Sequence, residues 1–467
     1  MSEKENNTME KIVSLAKRRG FMYPGSEIYG GLAGVYDYGP LGTVLKENIK
    51  SLWRRAMTFE HENIVELDSA IFMHPKTWEA SGHVGGFSDP LVEHKKTNKR
   101  FRVDHLLEDV DIVADEKMSV EEIQKLFDDN FEKLALPKGE RSDFSDVQKF
   151  NLLVKSNFGT TKENASDEPV YLRGETAQGI FVNFKNVLDS TILKVPFGIA
   201  QIGKAFRNEI KPQQFVFRMR EFEQMEMQYF VHPDEAATIF EEFKDERMNY
   251  YVEKLDIPAE KLRFKQHENL VFYAKDAWDI EYNFDFGWKE IEGLHWRGDY
   301  DLKQHQEFSG AKLEYTDPYT SEKYMPNVIE ASSGLDRVMF MVLENTYKEE
   351  EMDGDVRTLL SLPASIAPVK LAVSPLLKNK PELVEKAREV FVGLKQKFGH
   401  VMYDDNGNIG KRYRRQDEIG TPFCVVIDFE TLEGSTVDTV TVRDRDTGEQ
   451  ERVKISELEN YISEKIS

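Results

Sequence analysis

The sequence predicts an α+β protein of more than one domain, on three observations. Strand-like runs occur at Tyr171, at Gly198 to Phe206 and at Phe215 to Val231; apolar residues recur at helical spacing before and after them; and beyond residue 363 strands and helices alternate. A chain of 467 residues exceeds one ordinary domain, and 40% hydrophobic residues suffice for sizeable cores.

In chain order, Pro40 opens an apolar pattern at Leu41, Val44, Leu45, Ile49, Leu52, Trp53, Ala56 and Met57. Proline in the first helical turn gives up only an N–H that has no partner there, so a helix starts at this point. A strand is expected around Asn63 to Leu67, followed by Pro75. From Asp104 to Asp167 the chain is acidic and helix-forming, with Ser119-Val120-Glu121-Glu122 as a capping box ahead of Ile123, Leu126, Phe127 and Phe131. After Gly334, Leu335, Val338, Met339, Val342 and Leu343 form one helical stripe, which reads as core. Glu349-Glu350-Glu351 and the stretch Pro363 to Pro368 mark a boundary. Beyond it, strands at Val369 to Val373, Phe423 to Asp428 and Thr439 to Arg443 and a helix at Pro381 to Lys397 give a small α/β domain. The divisions are 1–103, an insertion at 104–168, 169–362 and 363–467.

Composition excludes several classes. One cysteine, Cys424, sits in the apolar run Phe423-Cys424-Val425-Val426-Ile427, which rules out a disulfide framework or a cysteine-based metal site within one chain. The start of the chain has neither a basic nor an apolar segment, and no stretch reaches the ~20 apolar residues of a membrane span, so a cytosolic protein without membrane association is expected. A net charge of −22 opposes indiscriminate coating of nucleic acid. Against it stands the basic run Lys411-Arg412-Tyr413-Arg414-Arg415, either a local RNA site with a stacking tyrosine or a solvated charge run. His74, His83, His94, His295 and His305 lack the clustered spacing of a zinc site and read as packing or surface residues.

The chemistry concentrates in a split arginine set: Arg207-Asn208-Glu209, then Arg218 to Glu226, then Gly334-Leu335-Asp336-Arg337. In extended chain Arg207 and Glu209 share a face, as do Arg218, Arg220, Phe222, Gln224 and Glu226. Two antiparallel strands carrying them to one cleft offer guanidinium groups for phosphate, a ring for a base and acids for an amine, the equipment for activating a carboxylate with ATP. Arg337 falls in the first turn of a helix, where the N–H groups and the dipole favour an anion. Its bland alternative is an ion pair with an acid such as Glu292.

The segments Phe206 to Glu209 and Arg218 to Glu226 resemble motif 2 of class II aminoacyl-tRNA synthetases, and Ser333 to Arg337 resembles their motif 3. The helix and strand ending near Pro75 resemble motif 1, the family's dimer interface. A helix packed within its own subunit is the alternative that the pattern leaves open. The wording of Ser26 to Gly31, Tyr36 to Gly42, Leu172 to Gly179 and Arg412 to Pro422 is similar to glycyl-tRNA synthetases of the single-polypeptide, homodimeric type, from about residue 20 onward. The resemblance implies an antiparallel-sheet catalytic domain with a helical insertion, and an anticodon-binding α/β domain at the end. It implies ATP and Mg2+, glycine and tRNA(Gly), and a homodimer. For ATP it implies Arg207, Asn208, Glu209, Phe217, Arg218, Phe222, Glu290, Ile291, Gly334 and Arg337, with Arg207 and Arg337 catalytic and Glu290 toward the metal. Glu292 is a weaker second candidate, expected on the same strand face as Glu290. For glycine it implies Arg100, Arg173, Glu175, Phe222, Gln224, Glu226, Glu330 and Ser332, and for tRNA Lys411, Arg412, Arg414 and Arg415. Glycine has no side chain to grip, so a rigid carboxylate-lined wall that clashes with a methyl group would have to reject alanine.

Two departures from the family pattern stand out. Ala331 replaces the usual proline, releasing a fixed φ angle in what is expected to be a turn. His295-Trp296-Arg297-Gly298 is unusual around the family's arginine and leaves the role of Arg297 open. Two other readings compete: a noncatalytic relative that binds nucleic acid, which would be expected to lose Arg207, Arg218 and Arg337, and a class II synthetase for proline, threonine or histidine, which Glu175, Glu330 and Ser332 oppose.

Overall fold

The computed structural model describes all residues except 1–4, 111, 115–117, 158–168, 211, 213, 268–269, 271–273, 353 and 467. The end of the expected insertion, at 168, therefore lies outside the described residues.

The main body is a seven-stranded sheet: β1 (Ile64–Glu66), β2 (Phe197–Phe206), β3 (Glu221–Val231), β4 (Leu262–Gln266), β5 (Asp276–Phe284), β6 (Gly287–Gly298) and β7 (Asn327–Gly334). Their order across the sheet is β4-β5-β6-β7-β3-β2-β1. Every neighbouring pair is antiparallel except β1, which runs parallel to β2. Alternation along the central strands sorts residues between two faces. On β3, Met225, Met227, Tyr229 and Val231 enter the main core, while Phe230 joins a second cluster on the opposite face with Phe184, Phe197 and Val328. Gln224, Glu226 and Gln228 share that opposite face by the same period of two.

Helix α1 (Pro40–Arg54) begins at its proline and buries Leu45, Ile49 and Trp53, spaced four residues apart. These side chains join the core of their own subunit beside Ile329 and Leu335. Trp53 is only 1% exposed, and truncating a tryptophan so buried costs about 3–5 kcal/mol. Helices α3 (Ala236–Asn249) and α4 (Leu335–Thr346) complete that face, whereas α2 (Ala177–Ser190) covers the other.

The segment around the expected insertion has its own small core, in which Val103, Leu106, Ile123, Phe127 and Phe144 pack with Val92. It contains helices Val103–Glu108 and Val120–Asn130 and the sheet Lys99–Arg102, Ser88–His94, Gln148–Asn151. The Ser119 capping box is formed.

The strand expected from Phe215 starts only at Glu221. Gln214 and Phe215 both have φ near 57°, and Phe215–Phe217 is a 3-10 turn. Left-handed backbone cannot continue a ladder, and the Arg220 N–H bonds to Gly34 O at 2.8 Å instead. Arg218 and Arg220 are thus on a loop, and the shared strand face begins at Phe222.

The C-terminal unit is a five-stranded sheet of β8 (Leu371–Pro375), β9 (Val401–Tyr403), β10 (Phe423–Ile427), β11 (Thr439–Asp444) and β12 (Gln450–Lys454), in the order β9-β8-β10-β11-β12. The first three strands are parallel and the last two antiparallel. Helices α5 (Pro381–Phe398), α6 (Ile409–Glu418) and α7 (Leu458–Ile466) pack with it. A hairpin, Tyr347–Met352 with Asp355–Leu360, joins it to the main body. Arg357 on that hairpin and Arg443 on β11 both bond the Asp417 carboxylate of α6, each at 2.9 Å. Among the described residues no helix is long and apolar enough to cross a membrane.

Candidate active site

Cross-strand register builds the deeper half of the site. Gln228 faces Glu330 and Glu226 faces Ser332 between β3 and β7, while His295 of β6 faces Glu330 from the other side. Because these positions alternate with core residues, polar groups collect on one face at the centre of the sheet. Glu330 is held by three donors: Arg297 Nη1 at 2.8 Å, Gln228 Nε2 at 2.6 Å and His295 at 2.6 Å from its Nδ1. Arg297 is locked in turn by two bonds to Asp301, at 2.8 and 3.0 Å. Glu175, just ahead of α2, accepts from Gln178 Nε2 at 2.9 Å and meets His83 Nε2 at 3.4 Å. Gln224 accepts from the Thr176 N–H at 3.1 Å and donates to Ser332 Oγ at 3.4 Å, closing the pocket between α2 and β7.

The three acids divide into two kinds. Burial pushes the Glu330 carboxyl up, but Arg297 and the His295 bond outweigh it and hold the group at about 2. Glu175 follows the same pattern: burial opposes ionisation, and His83, then Arg297, drive its carboxyl well below the usual range. For Glu226 the balance falls the other way: burial first, then repulsion from Glu330 and Glu175, outweigh the Thr176 hydroxyl bond and Arg297 and raise it well above the ordinary value, and it takes the Thr176 hydroxyl and Gln228 as partners. Arg297 and His83 thus favour charge on Glu330 and Glu175, while burial and their repulsion disfavour it on Glu226, an arrangement that suits a single bound ammonium.

The outer half is a cleft lined by Arg207, Glu209, Phe217, Arg218, Phe222, Gln224, Glu290, Ser332, Gly334 and Arg337, of about 290 Å³. Arg207 donates to Gly174 O at 3.1 Å and lies between the rings of Phe87 and Phe222, 5.2 and 5.3 Å from their centroids. Arg337, in the first turn of α4, donates to Phe217 O at 3.2 Å, stacks on the Phe217 ring and meets Glu290 Oε2 at 3.0 Å. Arg218 has no ion-pair partner among the described residues. The start of α4 is fixed from below, where Asp336 accepts from Lys46 Nζ and the Glu223 N–H, both at 2.8 Å, and from Tyr38. These anchors set the position of Arg337 without occupying its guanidinium.

Several expectations are corrected. Arg337 pairs with Glu290 and not Glu292, because β6 has a bulge: Ile280 faces Glu292 and Glu281 faces Glu290, leaving Ile291 extra. The additional residue breaks the alternation, so Ile291 enters the main core and Glu292 bonds Arg247 at 2.6 Å and Tyr251 at 2.7 Å beneath α3. Glu292 is therefore no metal candidate, and the Ile291 side chain does not reach the cleft. Arg100 lies on the insertion sheet, paired with Glu93 at 2.9 Å, beside Asn208 and Glu209 and apart from the acid pocket. Arg173 is buried and spends its donors on the carbonyls of Lys204 and Ser69. Ala331 is within β7, paired with Met227 and Leu294, and makes no turn. His83, His295 and His305 are not generic packing residues: the first two touch the pocket acids, and His305 bonds Gln178 at 2.8 Å. In the basic run, Arg412 is 2% exposed and donates to the carbonyls of Pro375, Asp405 and Gly407. Tyr413 lies under the Arg443 guanidinium, 4.7 Å from its ring centroid, and Arg415 is bidentate to Asp404. A short α6 with one inward face consumes these groups, so Arg412 and Tyr413 offer nothing to RNA.

Phe87, Gln228 and Asp301 were not singled out from sequence. Gln228 had a usable signal, being the third polar residue at period two within an otherwise apolar strand.

A sheet of this topology, with arginines from a loop beside β3 and from the start of α4 converging on an acid-lined pocket, defines a class II aminoacyl-tRNA synthetase. Residues 158–346 match the tRNA synthetase class II core domain (G, H, P, S and T), and residues 370–465 match the anticodon binding domain. The glycine–tRNA ligase of Borrelia garinii subsp. bavariensis is 50% identical over 98% of this chain and 97% of its own length. Those of Clostridium acetobutylicum and Chlorobaculum tepidum are 51% and 48% identical, over 99% and 98% of this chain and 100% of each relative. The chain belongs to the glycine–tRNA ligase family.

Proposed function

We propose that this chain activates glycine with ATP and transfers the glycyl group to the 3′ end of tRNA(Gly), as a cytosolic homodimer of the single-polypeptide type. In the first step a glycine carboxylate oxygen attacks the α-phosphorus and pyrophosphate leaves. In the second a terminal ribose hydroxyl takes the glycyl group and AMP leaves. Neither step needs a side-chain nucleophile; positioning and charge neutralisation carry them. One observation carries the reading: the clamped Glu330 pocket opens, through Gln224 and Ser332, directly onto the arginine cleft.

The glycine ammonium would lie between Glu175 and Glu330. The triply held Glu330 cannot retreat, so a methyl group on the substrate would meet a fixed wall. Arg207 would take the α-phosphate, Arg218 and Arg337 the outer phosphates, Phe222 and Glu209 the adenine, with Asn208 and Gly334 lining its approach. Glu290, 46% exposed at the cleft, is a hard-oxygen donor that fits Mg2+, an ion content with one or two carboxylates plus phosphate. When bound, Mg2+ would neutralise phosphate charge.

The anticodon-binding unit supports tRNA as partner, and Lys411 and Arg414 are the members of the basic run that remain toward solvent or the hairpin. Exposed Phe59, Ile192 and Tyr319 support a partner subunit. A light-scattering mass that stayed monomeric at every concentration would remove the dimer.

The deciding experiment is amino-acid-dependent exchange of pyrophosphate into ATP without tRNA, across glycine, alanine, serine, proline, threonine and histidine. Exchange with glycine alone is expected; exchange with another amino acid would reassign the pocket.

A further inference from the structure

A second cluster of ligating groups lies on the sheet beside the acid pocket. His267 follows β4, and its N–H bonds to Ala277 O at 3.0 Å. Ala277 faces His295 and Asp279 faces Gly293 across β5 and β6. One ligand atom from each of His267, Asp279 and His295 lies within 4.8 Å of the other two.

The local geometry leaves these atoms with capacity. His267 Nε2 is sealed from solvent and paired with Asp279 Oδ2 at 2.9 Å, a contact in which a metal ion would take the place of the shared proton. His295 uses Nδ1 on Glu330, which leaves its Nε2 free to ligate. Gly293 supplies the space between them: a Cβ there would stand 3.2 Å from the His295 ring and 3.9 Å from Asp279 Oδ1.

We propose that His267, Asp279 and His295 form a binding site for a borderline transition-metal dication of the Zn2+ kind, whose occupancy weakens glycine binding through His295. Two imidazoles and one carboxylate suit Zn2+ and its relatives, whereas Mg2+ prefers oxygen ligands alone. In a tetrahedral site, ligand atoms about 2.1 Å from the ion stand about 3.4 Å apart, so a pair at the 4.8 Å limit must draw in by about 1.4 Å, through rotation of the three side chains. Glu330 already occupies the position of the outer carboxylate that orients a metal-bound histidine. The coupling rests on the reading of Glu330 as the ammonium partner: a dication one imidazole ring away opposes the cation that Glu330 would receive.

The test uses the full chain, free of any histidine tag and stripped with EDTA, titrated with Zn2+ by calorimetry and with Co2+ by visible absorption, without ATP or glycine. One equivalent is expected, with affinity falling by at least about tenfold in His267→Ala and in Asp279→Asn. With Mg2+ and ATP present, Zn2+ should raise the glycine KM of the wild type severalfold and leave that of His267→Ala unchanged. No binding, or equal binding by wild type and both variants, would overturn the site. Binding lost in the variants with a glycine KM indifferent to Zn2+ would overturn the coupling. If exchange with glycine were absent altogether, the proposed activity would fail while the titrations still decided the metal site.

Discussion

Two sets of arginines in this molecule resemble each other in sequence and differ in what they touch. In the cleft, Arg207 is steadied by one backbone carbonyl and Arg337 by two, each also by aromatic faces, and Arg337 adds one half-exposed carboxylate. In the C-terminal unit, Arg412 meets three carbonyls, Arg415 a bidentate carboxylate, and Arg357 and Arg443 share Asp417. A guanidinium stacked on a ring keeps most of its N–H donors for a ligand, whereas one forked onto carbonyls or a carboxylate has spent them. Charge in a sequence therefore shows where arginines are, and only their partners show which are available.

The comparison can be broken most directly at Arg207. Arg207→Ala should slow glycine-dependent pyrophosphate exchange by about 10²–10³-fold, the usual cost of losing one transition-state donor. Its unfolding midpoint should shift little, because the residue contributes one carbonyl bond and two ring contacts. A folded variant with unchanged exchange would remove Arg207 from the mechanism.

Arg412→Ala should show the reverse. Three carbonyls, the Pro375 one buried, lose their donor together with the packing of a buried side chain, and denaturant unfolding should report a loss of about 2–4 kcal/mol. Exchange should persist in the folded fraction. Weakened tRNA binding at unchanged stability would place Arg412 with the available set.

A smaller effect comes from an acid that has no arginine. Burial, and then Asp285, push the Glu344 carboxyl from its ordinary 4.5 up to about 8. The folded state keeps the proton that the unfolded chain releases, so this group costs stability progressively as pH rises from about 4.5 to about 8. Glu344→Gln keeps an acceptor for the Asp285 N–H. It should flatten that slope and stabilise the protein by on the order of 1–3 kcal/mol at pH 8, with little change at pH 4.5. Equal gains at both pH values would contradict a buried, protonated Glu344.

The smallest effect belongs to Lys411, which is exposed on α6. Lys411→Ala should weaken tRNA binding by only a few fold and reduce its salt slope by about one. Unchanged binding would shift the RNA contact away from this helix altogether.

Sequence by itself determined the elements whose signals are local. Pro40 started α1, the stripe from Leu335 to Leu343 made α4, and the capping box at Ser119 formed as spelled. Alternation along β3 also gave Phe222, Gln224 and Glu226 one face once the strand was given, whereas Arg207, Arg218 and Arg337 stand outside the strands. Tertiary structure alone decided the rest. A single bulge at Ile291 sent Glu292 under α3, left-handed residues at Gln214 and Phe215 delayed β3, and the inward face of α6 consumed Arg412. Bulges carry no reliable local signal, and the partner of a buried charge lies on another element far away in the chain. Glu330 finds Arg297, 33 residues distant, and Glu226 is raised by burial and by the two acids that packing sets beside it. Local periodicity can encode a face, but which groups meet across that face is settled by packing.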